Sequence, residues 1–173
     1  MEIRKLGARG VFVYSPEKYC DNRGEFTELY NEGVLEQLKT SRFVQQNFVK
    51  SNLNVIRGMH WQESPFEQGK LITVLSGKIQ DVVIDLREDS DTFKQVFAVR
   101  LGSESSESIF IPTGFAHGYQ ALEKNTLISY SVTSQYSPRH EKRLNPLSNK
   151  FKIFWKEPFL IGELDSHSEY END

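Results

Sequence analysis

Leu71-Ile72-Thr73-Val74-Leu75, Ser76-Gly77, Lys78-Ile79-Gln80-Asp81-Val82-Val83-Ile84-Asp85-Leu86 is two runs of aliphatic and β-branched residues parted by a Ser-Gly step. β-branched side chains suit the pleated, half-buried surface of a strand. Glycine accepts the positive φ that a tight turn demands, so the stretch predicts a β-hairpin. Val82-Val83-Ile84 is apolar at successive positions rather than alternate ones, which predicts cover on both faces. The hairpin is therefore expected at the centre of the fold.

Outward from it the chain keeps the same rhythm of short strands punctuated by Gly, Pro, Asn and Ser. Further strands are predicted at Val11 to Tyr14, Phe43 to Val49, Val55 to Met59, Gln95 to Leu101, Ser108 to Ile111, Gly118 to Leu122 and Leu127 to Thr133. One segment departs from the pattern: Asn31 can cap a helix to Lys39 that sets Val34, Leu35 and Leu38 on one face. Strands that do not alternate with helices exclude a doubly wound sheet and indicate an all-β sandwich or barrel. A chain of 173 residues fits one domain. That domain is expected over 1–162, followed by an acidic tail, 163–173, with five Asp or Glu and no Lys or Arg.

A net charge of −3 disfavours a broad nucleic-acid surface while leaving room for a small phosphorylated ligand. No apolar run reaches the ~20 residues that span a bilayer, and the first residues lack a signal-peptide pattern, so a cytoplasmic protein is expected. Cys20, the single cysteine, reads as an ordinary thiol.

Ionisable residues interrupt the strands at a few places. In Arg57-Gly58-Met59-His60-Trp61-Gln62, period-two alternation puts Arg57, Met59 and Trp61 on one face and His60 with Gln62 on the other. If the latter face lines a barrel, an imidazole projects into a pocket; a lone histidine or a buried tyrosine such as Tyr130 is otherwise more often structural.

The words His60-Trp61-Gln62, Gln68, Gly77 and Pro112-x-Gly114-x-x-His117 follow the two-part pattern of the cupin superfamily. Metal-binding cupins place His and Glu where this chain has Gln62 and Gln68. Neutral amides are poor ligands for a divalent transition metal, so no metal is expected. The chain more specifically resembles the dTDP-4-dehydrorhamnose 3,5-epimerases. The resemblance runs from Val11 to Trp155 and rests on Asp21-x-Arg23-Gly24-x-Phe26-x-Glu28, Phe43-Val44-Gln45-x-Asn47, Arg57-Gly58-Met59-His60-Trp61-Gln62, Gln68-Gly69-Lys70-Leu71, Asp85-Leu86-Arg87 with Thr92-Phe93, Ile111-Pro112-x-Gly114-Phe115-Ala116-His117-Gly118, and Tyr130 ahead of Tyr136-Ser137-Pro138.

That resemblance implies an all-β cupin-type double-stranded β-helix, a jelly roll with one or two short helices, acting without a cofactor on a dTDP-4-keto-6-deoxy sugar in deoxysugar and polysaccharide biosynthesis. C3 and C5 of such a sugar flank the carbonyl, so loss of either proton leaves an enolate with its charge on the C4 oxygen. The implied base is His60, since imidazole is neutral and basic near pH 7. Lys70 is implied at the enolate oxygen, where a fixed cation is most effective. Tyr130 is implied as the acid on the opposite face. Arg23 and Arg57 would grip the diphosphate, and Tyr136 would stack on thymine. Gln45, Asn47, Glu28, His117 and Glu141 match substrate-contacting positions, and Phe26 and Tyr119 would supply apolar walls. The resemblance further implies a homodimer with exchanged N-terminal strands, so that Arg23 and Glu28 act in trans.

Relatives orient the base with a C-terminal aspartate, and simple alignment puts Ser168 there. The partner of His60 is thus open among Asp165, Glu169, Asp81 and Asp85. Asn145-Pro146-Leu147-Ser148-Asn149 also replaces the usual Trp-Asn-Asp words. Two other readings stand beside the epimerase: a 3,4-ketoisomerase of the same pathway class, and a nucleotide-sugar-binding cupin without catalysis.

Overall fold

A computed structural model describes residues 2–168, and Glu169 therefore lies outside the described residues. Two antiparallel sheets face each other. The first runs in the order β1 (Glu2–Lys5), β2 (Phe12–Ser15), β10 (Ser108–Ile111), β7 (Lys70–Ser76), β12 (Thr126–Val132), β5 (Gln45–Ser51). The second runs β13 (Glu141–Arg143), β6 (Val55–Gln62), β11 (Phe115–Ala121), β8 (Lys78–Asp85), β9 (Val96–Gly102), with β14 (Leu160–Ile161) parallel to β6. A separate ribbon pairs β3 (Lys18–Asp21) with β4 (Gly24–Thr27). This is the expected jelly roll.

Apolar side chains of the two inner faces meet between the sheets, with Val13, Ile72, Val74, Ile109 and Ile128 against Ile79, Val83, Leu101 and Phe115. Outer faces are covered too. On the second sheet Met59, Val82, Ile84 and Ala116 pack under Leu144 and Phe151. On the first, Leu71 and Phe110 pack under Val34 and Leu38 of α1 (Glu32–Leu38). Val83 facing inward and Val82 with Ile84 facing outward explain why that run is apolar at every position. The Asn31 side chain caps α1 by accepting the Val34 N–H at 3.1 Å, as its place in the sequence predicts.

The predicted hairpin is not one. β7 and β8 belong to different sheets, and the chain crosses between them at Gly77. Gly77 has φ +82°, and a Cβ there would lie 2.6 Å from Thr126 Oγ1, so the glycine serves a corner between layers. Both arms are interior strands, but their edges are already taken: β7 by β10 and β12, β8 by β11 and β9.

Asp85-Leu86-Arg87 with Thr92 forms a closed loop clamp. The Asp85 carboxylate accepts from Arg87 Nε at 2.8 Å, Arg87 NH2 at 2.7 Å, and the Ser90 and Thr92 hydroxyls at 2.6 Å each. Burial disfavours its charge, but those bonds outweigh burial and hold the carboxyl far below the usual carboxylate range. Asp85 is therefore not the partner of His60.

Candidate active site

A cavity of about 470 Å³ opens between the sheets. By period two, β5 sends Gln45, Asn47 and Val49 into it while Val44 and Phe48 face out. From the first sheet Lys70 and Tyr130 also enter, and from the second Arg57, His60, His117 and Tyr119, with Tyr136 and Glu141 near the opening. Alternation predicts Arg57 and His60 on opposite faces of β6, yet both line the cavity. The β6–β11 register shifts between the His60–His117 and Arg57–Tyr119 pairs, and the irregularity turns the strand between them. Gly58 sits there with φ +113°, and a Cβ would lie 2.5 Å from Gly118 Cα. No other residue type fits that approach.

The open question about His60 is decided by the tail. His60 Nε2 lies 2.7 Å from Asp165 Oδ1, on the short helix α2 (Glu163–Ser166). Asp165 also accepts Arg143 NH1 at 2.8 Å and the Gly58 N–H at 3.3 Å. Burial works against the Asp165 charge, but the hydrogen bond and charge of His60, then Gly58 and Arg143, hold its pKa below the usual value. An ionised carboxylate only accepts, so Nε2 carries the ring proton and Nδ1 keeps the basic lone pair. Ser168 instead donates its hydroxyl to the Leu164 carbonyl, and its own carbonyl accepts from the Asn145 N–H. Asp165, which follows residue 162 in the acidic stretch, is thus buried beside β6.

Asp81 holds the other histidine: His117 Nε2 is 2.8 Å from Asp81 Oδ2. Lys70 Nζ donates to the His60 carbonyl at 3.2 Å. Burial brings the Lys70 ammonium down to about 8, with the charges of Glu141 and Asp81 pulling partly back. Burial pushes the Tyr130 phenol up, opposed by the Arg57 cation, so the hydroxyl stays protonated at neutral pH. Arg57 Nε donates to Ser51 Oγ at 3.1 Å, and Ser51 Oγ lies 2.8 Å from the Tyr119 hydroxyl, which fixes both wall residues. Gln45 accepts the Tyr136 N–H at 2.9 Å and donates to Asn47 at 2.9 Å. Tyr136, half exposed, donates its hydroxyl to Glu141 Oε2 at 3.2 Å.

Arg23, Phe26 and Glu28 are absent from this cavity. Arg23 pairs with Asp21 on the β3–β4 ribbon, Phe26 is 66% exposed there, and Glu28 accepts from Asn31 beyond it. β1 pairs with β2 of its own chain. Arg143, which sequence reasoning missed, lines the cavity; its only signal was a two-residue spacing from Glu141 on a strand.

Where metal-binding cupins have ligands, Gln62 donates to the Phe66 and Gln135 carbonyls and accepts the Ser137 N–H, and Gln68 donates to the Ser134 carbonyl. Both amides are committed to loops, and no group of three His, Cys, Asp or Glu is arranged for a metal among the described residues. A larger crevice of about 1250 Å³ elsewhere contains none of His60, Lys70 or Tyr130 and carries both Lys5 and Arg9 and Asp89 and Asp91. No helix among the described residues is long and apolar enough to cross a membrane.

Known proteins share this architecture. The family model described as dTDP-4-dehydrorhamnose 3,5-epimerase matches residues 5–171. A dTDP-4-dehydrorhamnose 3,5-epimerase of Methanothermobacter thermautotrophicus is 42% identical over 79% of this chain and 74% of its own length. One from Elizabethkingia anophelis superposes with a TM-score of 0.92 at 32% identity, covering 98% of this chain and 95% of that one. A dTDP-6-deoxy-D-glucose-3,5-epimerase of Legionella pneumophila, solved with dTDP-4-keto-L-rhamnose, gives 0.92 at 35% identity over 97% of this chain and 91% of that one. With its fold and nearly all of its length matched, the chain belongs to the dTDP-4-dehydrorhamnose 3,5-epimerase family of carbohydrate isomerases.

Proposed function

We propose that the cavity epimerises a dTDP-4-keto-6-deoxyhexose at C3, C5 or both. The observation that carries this is the entry of His60, backed by Asp165, and of Tyr130 from facing sheets into one cavity. His60 Nδ1 takes the proton from the carbon beside the carbonyl, and the electron pair of the broken C–H bond moves into an enolate with its charge on the C4 oxygen. The Lys70 ammonium supports that oxygen. The protonated Tyr130 phenol returns a proton to carbon from the other face, and solvent then exchanges the protons of base and acid. Two groups on opposite faces are what inversion needs.

Arg57 supplies charge for the diphosphate, and half-exposed Tyr136 an aromatic face for the base. Arg23, Phe26 and Glu28 lie outside their own chain's cavity on or beside an exposed ribbon, which supports a homodimer in which each ribbon serves the neighbouring site. Cytoplasmic residence follows from a nucleotide-sugar substrate.

The test is solvent exchange. Incubated with a dTDP-4-keto-6-deoxyhexose in deuterated water, the protein is expected to place deuterium at C3, C5 or both, read by NMR. Tyr130→Phe is expected to retain part of the exchange while losing inversion. No deuterium above the buffer rate ends the enzymatic reading.

A further inference from the structure

We propose that Arg143 is a positioning residue: it aims the Asp165 carboxylate at His60, an inference that rests on the epimerase reading above. β13 runs antiparallel to β6 with Arg143 directly opposite His60 and Glu141 opposite Gln62. Opposite residues on one face have Cβ atoms ~5 Å apart, so guanidinium and imidazole share one side of the cavity. Arg143 NH1 donates to Asp165 Oδ1 at 2.8 Å, the oxygen that also receives His60 Nε2–H at 2.7 Å. Its Nε and NH2 donate to Glu141 Oε2 at 3.1 and 2.7 Å. The fork thus spans two carboxylates and is turned toward protein.

Asp165 needs such a tether. α2 is a single turn of four residues whose N-cap, Gly162, offers no side-chain hydrogen bond, and one turn has little stability of its own. The backbone around it is held by Asn145, which donates to the Ser166 and Ser168 carbonyls, and by the two-residue β14–β6 pairing. Those contacts dock the segment without aiming its carboxylate. Besides His60 itself, the donors on that carboxylate among the described residues are the Gly58 N–H at a long 3.3 Å and Arg143 at 2.8 Å. Arg143 is the short, charge-assisted one, and a guanidinium keeps its charge at every working pH. It is anchored in turn by Glu141, which also takes the Tyr136 hydroxyl. The direction of the base's ring proton is thereby referred back to a sheet strand instead of a terminal turn.

The experiment compares full-length wild type, Arg143→Met, Arg143→Lys, Asp165→Asn and the Arg143→Met/Asp165→Asn double variant. Each is assayed for kcat and KM of solvent exchange on a dTDP-4-keto-6-deoxyhexose, with thermal melts as a folding control. Arg143→Met is expected to lose about tenfold in kcat, the scale of removing a group that orients a functional histidine, with KM little changed. Lysine keeps the charge but not the fork, so Arg143→Lys is expected to recover part of that loss. In the Asp165→Asn background Arg143→Met is expected to add nothing, because its effect runs through that carboxylate. Wild-type kcat in Arg143→Met, a change in KM alone, or losses that multiply in the double variant overturn the proposal. Should Arg143→Met not fold, wild-type kcat in Arg143→Lys overturns it, and a kcat between those of wild type and Asp165→Asn supports it. A wild type without exchange removes the epimerase reading and this inference together, which sets that failure apart from the others.

Discussion

Two histidine–carboxylate pairs stand side by side in the second sheet, His60–Asp165 at 2.7 Å and His117–Asp81 at 2.8 Å, with the histidines opposite each other in the β6–β11 ladder. By bond length they are twins; their surroundings differ. Asp165 arrives from the end of the chain, keeps 10% of its side chain exposed and collects donors on both oxygens. Asp81 is inside β8, has no exposure, and has no partner for its buried Oδ1 among the described residues. The His60 side chain is 28% exposed and that of His117 10%. A base must exchange protons with substrate and solvent, and only the first pair combines an accessible imidazole with a satisfied carboxylate. Under the proposed mechanism the first supplies the base and the second serves as cavity wall.

The largest expected effect separates the histidines. His60→Asn is expected to lower deuterium exchange by about 10³-fold, within the range for removing a general base, and His117→Asn by at least about tenfold less. Equal losses under the same NMR assay erase the distinction between base and wall.

Next come the carboxylates. Asp165→Asn is expected to cost about 10²-fold in kcat, since an amide can present the wrong group to Nε2 and disturb the tautomer. Asp81→Ala is expected to show chiefly in denaturant unfolding, with a loss of about 3 kcal/mol from breaking a buried pair. A fully stable Asp81→Ala protein with a 10²-fold slower kcat reverses the two assignments.

The smallest effect is a shift on the pH axis. In the proposed mechanism Lys70 supports the enolate only as an ammonium, and burial brings its pKa down to about 8, so its contribution to the rate is expected to be full below that pH and to be lost as pH rises through it. Lys70→Met is expected to lose rate and with it this alkaline limb. The negative charge of Asp81 helps to keep Lys70 protonated. Asp81→Asn is therefore expected to move the limb to lower pH, and a pH–rate profile that stays in place denies Asp81 even this influence through the field.

Much of the second pair's setting was readable without coordinates. Asp81 and His117 lie in apolar strand text, so their burial follows from neighbours such as Val82 and Ala116. The first pair was not so readable. Asp165 sits in an acidic stretch that resembles a solvated end, and no local pattern distinguishes it from Glu163 beside it. Arg143 follows Glu141 by two residues, which on a strand means one face, but nothing nearby says which strand it will oppose.

The amino-acid sequence by itself determined the residue-by-residue character of this protein: short strands whose alternation points Gln45 and Asn47 inward, a helix started by Asn31, and the chemical groups a proton transfer needs. These are local properties, encoded in periods of two and 3.6 residues and in turn chemistry. Only the tertiary structure decided that Gly77 joins two sheets, that an irregularity at Gly58 turns Arg57 and His60 into one cavity, and that Asp165, 105 residues beyond His60, becomes its partner. Such choices depend on which edges and faces remain open once the sheets have formed. That is a property of the packed whole, which local sequence carries no mark of.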